Sequence, residues 1–480
     1  MRKFIVLRYL GLVVILNAIF LVVSTLISYF NNDSGFSPLV YSSAIAILIG
    51  IFPIIFVPPA REISHIEGII IVVAGWIISC IIGMIPYIIW GGEFSVTNAW
   101  FESVSGYTTT GASILNSVES LPHGLLFWRS STHWIGGIGI VVFVLAIMPA
   151  IGQTAAGILY RSELSPVALR QFKMRSRDAV RVIVYVYIGL TLLETISLVL
   201  CGLSLFDAVN HSFATVATGG FSVKNSSIAY YHNLSAEITI MVFMLLSGMN
   251  FLLLFAVLFS SYKILKISSV LKYYLLFNLG AILLASFNIY HINYDSYWDA
   301  LRYSAFQVLS VGTSTGFATA DSSIWPGFSQ VIIIFLTFQC ACAGSTSGGI
   351  KVDRILIFFK SLIRKIKEIQ NPNAVFSVFL EKQKVDDEVI ESSILYIILY
   401  VIVVLISSII LTLLNVDLLT AFSGSAAAMG NVGPGLGNVG SLENYSYIPS
   451  AGKWILSVTM ILGRLEIYAL IIFLMPKNWK

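Results

Sequence analysis

Long apolar segments recur along the whole chain, and they restrict it to an architecture that lies within a membrane. A helix needs about 20 apolar residues to cross the hydrocarbon core of a bilayer. Charged residues make up 11% of the chain, against about 25% in soluble domains, so we predict an all-α, multi-pass membrane protein. The ten candidate spans are Tyr9–Phe30, Leu39–Val57, Gly68–Trp90, Leu125–Met148, Val182–Leu203, Ile238–Phe259, Tyr273–Ile289, Val331–Phe359, Ile394–Leu414 and Trp454–Met475.

The distribution of basic residues predicts the orientation of these spans. Short connections rich in Lys and Arg remain on the cytoplasmic side of a membrane. Of the 28 basic residues, all but Arg129, Lys224, Arg302, Lys453 and Arg464 fall in the terminal segments or in alternate connections. An even number of spans places both termini on one side, so we predict that both are cytoplasmic. The net charge of +4 follows from this asymmetry and indicates no nucleic-acid partner.

A short polar stretch rich in threonine and glycine occurs four times within this apolar chain. GYTTTGAS at 106–113 is related to TVATGGFS at 215–222, VGTSTGFA at 311–318 and MGNVGPGLG at 429–437. Aligning their glycines predicts four copies of a unit of about 100 residues. The aligned glycines are Gly111, Gly219, Gly316 and Gly433.

Each copy has the same order of elements, in which an apolar span, a short helix-forming segment, the glycine stretch and a second span follow one another. The short segments are Ala99–Ser105, Ala208–Ala214, Ala300–Leu309 and Leu418–Ala427, and each follows a residue suited to cap a helix: Asn98, Asp207, Asp299 or Asp417. We predict four helix–pore-loop–helix units in a pseudo-fourfold arrangement around one pore. They cover residues 67–160, 161–268, 269–384 (with a broken second helix and a cytoplasmic linker) and 385–480, after an N-terminal helix pair at 1–66.

The four stretches have a composition suited to a selectivity filter for a monovalent cation. Non-helical backbone at membrane depth survives only where it is buried in protein or lines a water-filled path. Backbone carbonyls around a common axis can replace the hydration shell of a cation, and the stretches contain no Asp or Glu. Potassium is the leading candidate, although these residues do not decide between K⁺ and Na⁺ as the preferred ion. The alternative interpretation is that the stretches are four tight turns in a repeat protein. The predicted filter residues are Thr109, Thr110, Gly111, Ala217, Thr218, Gly219, Ser314, Thr315, Gly316, Asn431, Val432 and Gly433.

A second polar interruption lies inside the apolar segment at 331–359. The sequence QCACAGSTSGGIKVDR, at 339–354, is too rich in glycine and hydroxyl side chains for a straight helix that faces lipid. It predicts a helix broken at midplane and exposed to a cavity, with a simple kink as the alternative. The residues of the interruption are Gly344, Ser345, Thr346, Ser347, Gly348 and Gly349.

Arg464 is a charged residue within the last apolar segment, two residues before Glu466. A charge at the centre of a span costs about 2.5–3.5 kcal/mol on insertion scales, so its side chain is expected to face the bundle interior or water. An arginine near the axis would repel cations and contribute to a barrier. The alternative is a structural ion pair with a nearby carboxylate.

Together, the four glycine stretches, the interrupted segment and Arg464 resemble the membrane subunits of the Trk/Ktr/HKT superfamily of potassium transporters. The resemblance covers essentially the whole chain and is closest to the TrkH type, which has two additional N-terminal helices. It implies a multi-pass protein of the prokaryotic cytoplasmic membrane, embedded in the lipid bilayer, that forms a homodimer with one pore in each protomer. It also implies a cytosolic, TrkA-like nucleotide-binding regulatory subunit and a gate formed by the 344–349 loop and Arg464 beneath the filter.

Other functions find little support in the residues. The segment GLGNVG at 435–440 matches a dinucleotide-binding pattern but lacks a preceding strand, and GSTSGGIK at 344–351 departs from a phosphate-binding loop. Catalytic motifs and metal-ligand spacings are absent from the sequence, so we predict no enzyme activity and no cofactor, with K⁺ as the transported ion. His133 and His211 are expected to pack or hydrogen-bond. The competing functions are a Na⁺- or H⁺-coupled K⁺ symporter on the same scaffold, and an intramembrane enzyme or receptor with broken helices.

Overall fold

The structure is a computed structural model that describes residues 2–60, 63–147, 176–259, 268–381 and 383–475. Apart from a two-stranded antiparallel hairpin, β1 (Phe379–Leu380) and β2 (Gln383–Lys384), its regular elements are helical. The α-helices are α1 (Lys3–Asn31), α2 (Phe36–Phe56), α3 (His65–Trp90), α4 (Val96–Tyr107), α5 (His123–Ile147), α6 (Ser176–Leu200), α7 (Leu205–Val216), α8 (Leu234–Ser247), α9 (Phe251–Phe259), α10 (Ser269–Ile289), α11 (Tyr297–Gly312), α12 (Gly327–Phe338), α13 (Val352–Gln370), α14 (Asp387–Leu413), α15 (Leu418–Gly430), α16 (Ser450–Arg464) and α17 (Tyr468–Leu474).

The long apolar helices confirm that the chain is an all-α, multi-pass membrane protein. Among the described residues, six helices are long and apolar enough to cross a membrane, and two bent helix pairs meet the same test together. Large apolar side chains on these helices are exposed, as expected for surfaces that face lipid. The six helices are α1, α2, α3, α6, α10 and α14.

Three of the predicted spans are broken, and the sequence analysis anticipated one of the breaks. The interruption expected within 331–359 separates α12 from α13. The expectation of continuous helices at 238–259 and 454–475 was wrong, since α8 and α9 meet at 105° and α16 and α17 at 112°. At the second break Glu466 and Ile467 both have positive φ angles, 54° and 47°, which end the right-handed helix without a glycine or proline.

The four short helices α4, α7, α11 and α15 begin at side-chain caps, but three of the predicted caps were wrong. Asp417 does cap α15, because its carboxylate accepts a hydrogen bond from Thr420 N at 3.0 Å. The other three helices begin earlier than predicted. In each, the hydroxyl of a serine upstream of the predicted residue accepts a hydrogen bond from a backbone amide in the first turn. The capping serines are Ser95, Ser204 and Ser296.

The N-terminal helix pair is tied to the first short helix through a buried asparagine. Asn17 on α1 is fully buried, and its side-chain amide donates to Ser79 Oγ on α3 at 3.1 Å. Its carbonyl oxygen accepts a hydrogen bond from the hydroxyl of Tyr107, the last residue of α4, at 2.5 Å. The first of the two additional helices therefore supports the end of α4.

Candidate ion-conduction path

The four short helices end in the same backbone motif. In each, a residue with a left-handed conformation follows the helix, and the amide of the next residue donates to a carbonyl five residues back. Thr and Ser are strained in this conformation, which Asn tolerates better, so its fourfold recurrence indicates a geometry imposed by the surrounding structure. The left-handed residues are Thr109, Thr218, Ser314 and Asn431, with φ angles of 53°, 54°, 55° and 52°.

Two residues after each of these positions lies a glycine with a positive φ angle. This corrects the repeat alignment, because the equivalent of Gly111 in the second unit is Gly220, whereas the sequence predicted Gly219. The two glycines are adjacent, so the sequence does not distinguish them, but only Gly220 has a positive φ angle. The four equivalent glycines are Gly111, Gly220, Gly316 and Gly433, with φ angles of 80°, 80°, 82° and 90°.

These four glycines form a closed ring. Each of the four glycine-containing stretches, which we call strands, contacts the next one around the ring. A Cβ atom on any of them would lie within 3.0 Å of a carbonyl oxygen in the following strand, which no side chain tolerates. Four strands therefore surround one axis, as the sequence predicted. The contacts run from Gly111 to Gly219 O, from Gly220 to Thr315 O, from Gly316 to Val432 O and from Gly433 to Thr110 O. We call this arrangement the glycine ring.

A polar cavity of about 120 Å³ is lined by all four glycines of the ring. Its walls come mainly from the connections that follow the strands, which contribute Lys224, Glu443 and Asn444, and Arg129 on α5 also lines it. Tyr445 also lines it and donates its hydroxyl hydrogen bond to Gly433 O at 2.6 Å. The ring is therefore accessible from this cavity, through a wall that contains charges of both signs.

The 344–349 loop packs against the ends of three short helices. Thr346 Oγ1 donates to Val216 O at 2.9 Å, at the end of α7. Ser347 Oγ lies 2.8 Å from Ser314 Oγ, which also accepts the Gly348 amide at 3.0 Å. A Cβ on Gly348 would in addition meet the backbone at the end of α15. The hydroxyl residues of the loop are buried, so the loop fills the space beside the helix ends of the second, third and fourth units.

Arg464 joins this loop to the remaining unit. Its Nη1 donates to Thr346 O at 2.6 Å, and its Nη2 donates to Gly136 O on α5 at 2.9 Å. The side chain is buried, and its guanidinium carbon lies 5.7 Å from the centroid of the Trp76 ring. The loop and Arg464 thus contact residues of all four units.

Glu466 forms an ion pair with a different arginine, Arg354. Its carboxylate lies 2.6 Å from Arg354 Nη2 near the beginning of α13, and Arg354 also lies over the Tyr396 ring at 4.0 Å. This pair links the α16–α17 break to the helix that follows the loop. Arg464 instead donates to the backbone carbonyls of Thr346 and Gly136, and the guanidinium can serve both because its donors form a planar fork.

The break between α8 and α9 receives the other side of the loop. Asn250 donates its side-chain amide to Ala343 O at 2.8 Å, and Phe251 N donates to Gly344 O at 3.1 Å. Cys342 N in turn donates to Gly248 O at 3.0 Å. The sequence signal for this site is the polar stretch SGMN, at 247–250, inside an apolar span.

Two further residues behind the ring, Glu102 and Arg129, were also missed. They form an ion pair at 2.6 Å, and both side chains are buried. A pairing between residues on two helices leaves no periodic pattern in the sequence.

In the part of the chain that the structure describes, no cluster of three or more His, Cys, Asp or Glu residues has the arrangement of a metal site.

Comparison with known proteins places this geometry in a family. Residues 43–480 match the family model described as TrkH, cation transport protein. The chain is 34% identical to the Trk system potassium uptake protein TrkH from Salmonella typhimurium over 98% of both chains. It is 36% identical to TrkG from Escherichia coli over 86% of this chain and 85% of that protein. The fold is similar to the crystal structure of the potassium transporter TrkH from Vibrio parahaemolyticus, with a TM-score of 0.88 and 31% identity over all of both chains.

Proposed function

Because the chain belongs to the TrkH family of cation transport proteins, we propose that it takes up potassium through a channel-like pore formed by a single chain. Members of this family are ion transporters, not enzymes. The names of the Trk system relatives support potassium as the transported ion. The observation that carries the channel-like mechanism is the glycine ring, in which four strands surround one axis.

In this proposal the backbone carbonyls of the four strands coordinate K⁺. The filter consists of the residues predicted from the sequence, except that the second unit is shifted by one residue to Thr218, Gly219 and Gly220 and so leaves out Ala217. Close contact between adjacent strands holds carbonyl oxygens such as Thr110 O and Thr315 O near the axis. An uncharged cage of carbonyls suits K⁺, which gives up its hydration shell more readily than a divalent ion does.

The 344–349 loop and Arg464 form the gate in this proposal, and the structure then corresponds to a closed pore. The loop contacts three units and Arg464 contacts the fourth, so these groups lie together across the path beneath the filter. A cation that leaves the filter would meet a buried guanidinium, which repels it strongly in a medium of low dielectric constant. Conduction requires the loop and Arg464 to move apart from the helix ends.

Control from the cytoplasm completes the proposal. Helix α13 begins three residues after Gly349, so a force on its cytoplasmic end would be transmitted directly to the loop. We propose that a cytosolic, TrkA-like nucleotide-binding subunit supplies that force, and that the protein is a homodimer in the cytoplasmic membrane. Both termini are then cytoplasmic, as the basic residues predict.

A flux assay on purified protein in vesicles tests this function against coupled transport. We expect K⁺ to move down its gradient at an unchanged rate when Na⁺ is replaced by an impermeant cation and the pH is equal on both sides. A channel-like pore needs no second ion, so the rate should depend on the K⁺ gradient and the membrane potential alone. Loss of K⁺ flux upon removal of Na⁺, or upon abolition of a proton gradient, would instead establish a coupled symporter.

A further inference from the structure

A buried ion pair joins the two strands that follow α4 and α7. Glu102 lies on α4 and Arg129 on α5, and Arg129 Nε lies 2.6 Å from Glu102 Oε1. The two side chains are 0% and 3% exposed. Removal of either partner would leave a buried charge without compensation, so the two groups strongly restrain each other.

Each member of the pair also holds one of the strands. Glu102 accepts a hydrogen bond from the Ser113 hydroxyl at 2.9 Å and from the next backbone amide at 3.0 Å. Arg129 Nη1 donates to Ser222 O at 2.9 Å, and its guanidinium lies 3.6 Å from the centroid of the Phe221 ring. Ser113 and Ser222 each lie two residues after a glycine of the ring. The pair therefore restrains the separation between two adjacent strands just beyond the ring.

The equivalent positions in the other units carry no acidic residue, and the hydrogen bonds of the two polar ones stay within their own unit. His211 Nε2 lies 3.0 Å from Ser222 Oγ, and Gln307 donates to Ala320 O at 2.7 Å. The fourth unit has Gly424 at this position. His211 also touches a strand of another unit, since its ring lies 5.6 Å from the Phe317 ring. Among these four positions, Glu102 alone carries a charge, and it alone is ion-paired to a residue that hydrogen-bonds the backbone of another unit's strand.

We propose that Glu102 and Arg129 are positioning residues that determine how well the filter discriminates K⁺ from Na⁺. This inference rests on the function proposed above. Neither residue needs to touch the ion, because both act on the backbone that carries the coordinating carbonyls. When the first two strands are held apart at a set distance, their carbonyls do not close around the smaller Na⁺ ion. When the pair is broken, the strands can adjust to either ion.

The test compares Glu102→Gln and Arg129→Lys with the original protein in reconstituted vesicles. Each variant keeps approximate size while weakening the pair. We expect K⁺ flux to persist and the K⁺/Na⁺ permeability ratio to fall by about tenfold, a change equivalent to about 1.4 kcal/mol. The control is Glu237→Gln, which breaks an ion pair with Arg302 at 2.7 Å between α8 and α11, in which the glutamate is likewise buried and the arginine is 27% exposed. In the part of the chain that the structure describes, that pair hydrogen-bonds no strand of the ring, so the ratio should not change.

A second measurement separates positioning from a purely structural role. Binding of K⁺ to the folded state raises the melting temperature of the purified protein, and the original protein should show a larger rise with K⁺ than with Na⁺. The variants should lose that difference. An unchanged permeability ratio in both variants would overturn the inference, as would failure of both to fold. Absence of K⁺ flux in the original protein would instead contradict the proposed function.

Discussion

Replacing Gly316 by serine is expected to reduce the K⁺/Na⁺ permeability ratio by about tenfold or more, which corresponds to at least about 1.4 kcal/mol. Gly316 has a φ angle of 82°, and a Cβ there would meet Val432 O and lie 3.0 Å from Pro434 Cδ. Both the backbone conformation and the contact with the next strand resist a side chain. The strand must shift, and the carbonyls that surround the ion shift with it. Permeability ratios from vesicles with defined K⁺ and Na⁺ gradients provide the measurement.

The control for this substitution is Gly280→Ser on α10. Gly280 has ordinary helical geometry, and a Cβ there would meet no atom within 4 Å. It carries the same chemical change into a membrane helix without disturbing the ring. A Gly316→Ser protein that folds and retains the original permeability ratio would count against the filter assignment.

Replacing Arg464 by alanine is expected to raise K⁺ flux in the absence of any cytosolic partner by about tenfold or more. At a separation of about 4 Å, two unit charges repel by about 4 kcal/mol at an effective dielectric constant of 20, so removal of this charge lowers the barrier substantially. The substitution also removes the bonds that hold Thr346 O and Gly136 O together. Basal K⁺ flux in vesicles that contain the purified protein alone provides the measurement.

Arg464→Lys is the matched variant for this experiment. It keeps the positive charge but loses the two-pronged contact of the guanidinium. If repulsion by the charge dominates the barrier, the lysine variant should remain nearly as closed as the original protein. Low flux in a well-folded Arg464→Ala protein would show that this residue is not part of the gate.

The repeat and its glycines could be predicted from the sequence because the glycine ring admits no side chain. Because there is no room for a side chain, glycine recurs at these positions in the sequence. For that reason Gly111, Gly316 and Gly433 were aligned correctly. The second unit was shifted by one residue because two consecutive glycines satisfy the same pattern. The φ angle that distinguishes Gly220 from Gly219 is a property of the folded backbone.

Other features depend on contacts that a single sequence does not encode in a periodic pattern. The break after Arg464 is made by Glu466 and Ile467, which both have positive φ angles, and neither residue type usually signals a helix end. The Glu102–Arg129 pair joins two helices, so only their packing brings the charges together. The polar 344–349 loop was recognisable because its composition conflicts with a lipid-facing helix. Its contacts with Val216 and Ser314 could not be predicted, because they depend on how the helices pack.

The central claim is that the four strands of the glycine ring coordinate the transported ion. Crystals grown in Rb⁺ or Tl⁺ in place of K⁺ would test it directly, because both ions resemble K⁺ in size and scatter X-rays anomalously. We predict anomalous peaks on the axis enclosed by Thr110 O, Gly219 O, Thr315 O and Val432 O. Peaks confined to other parts of the molecule, with an empty axis at saturating ion concentration, would contradict the account.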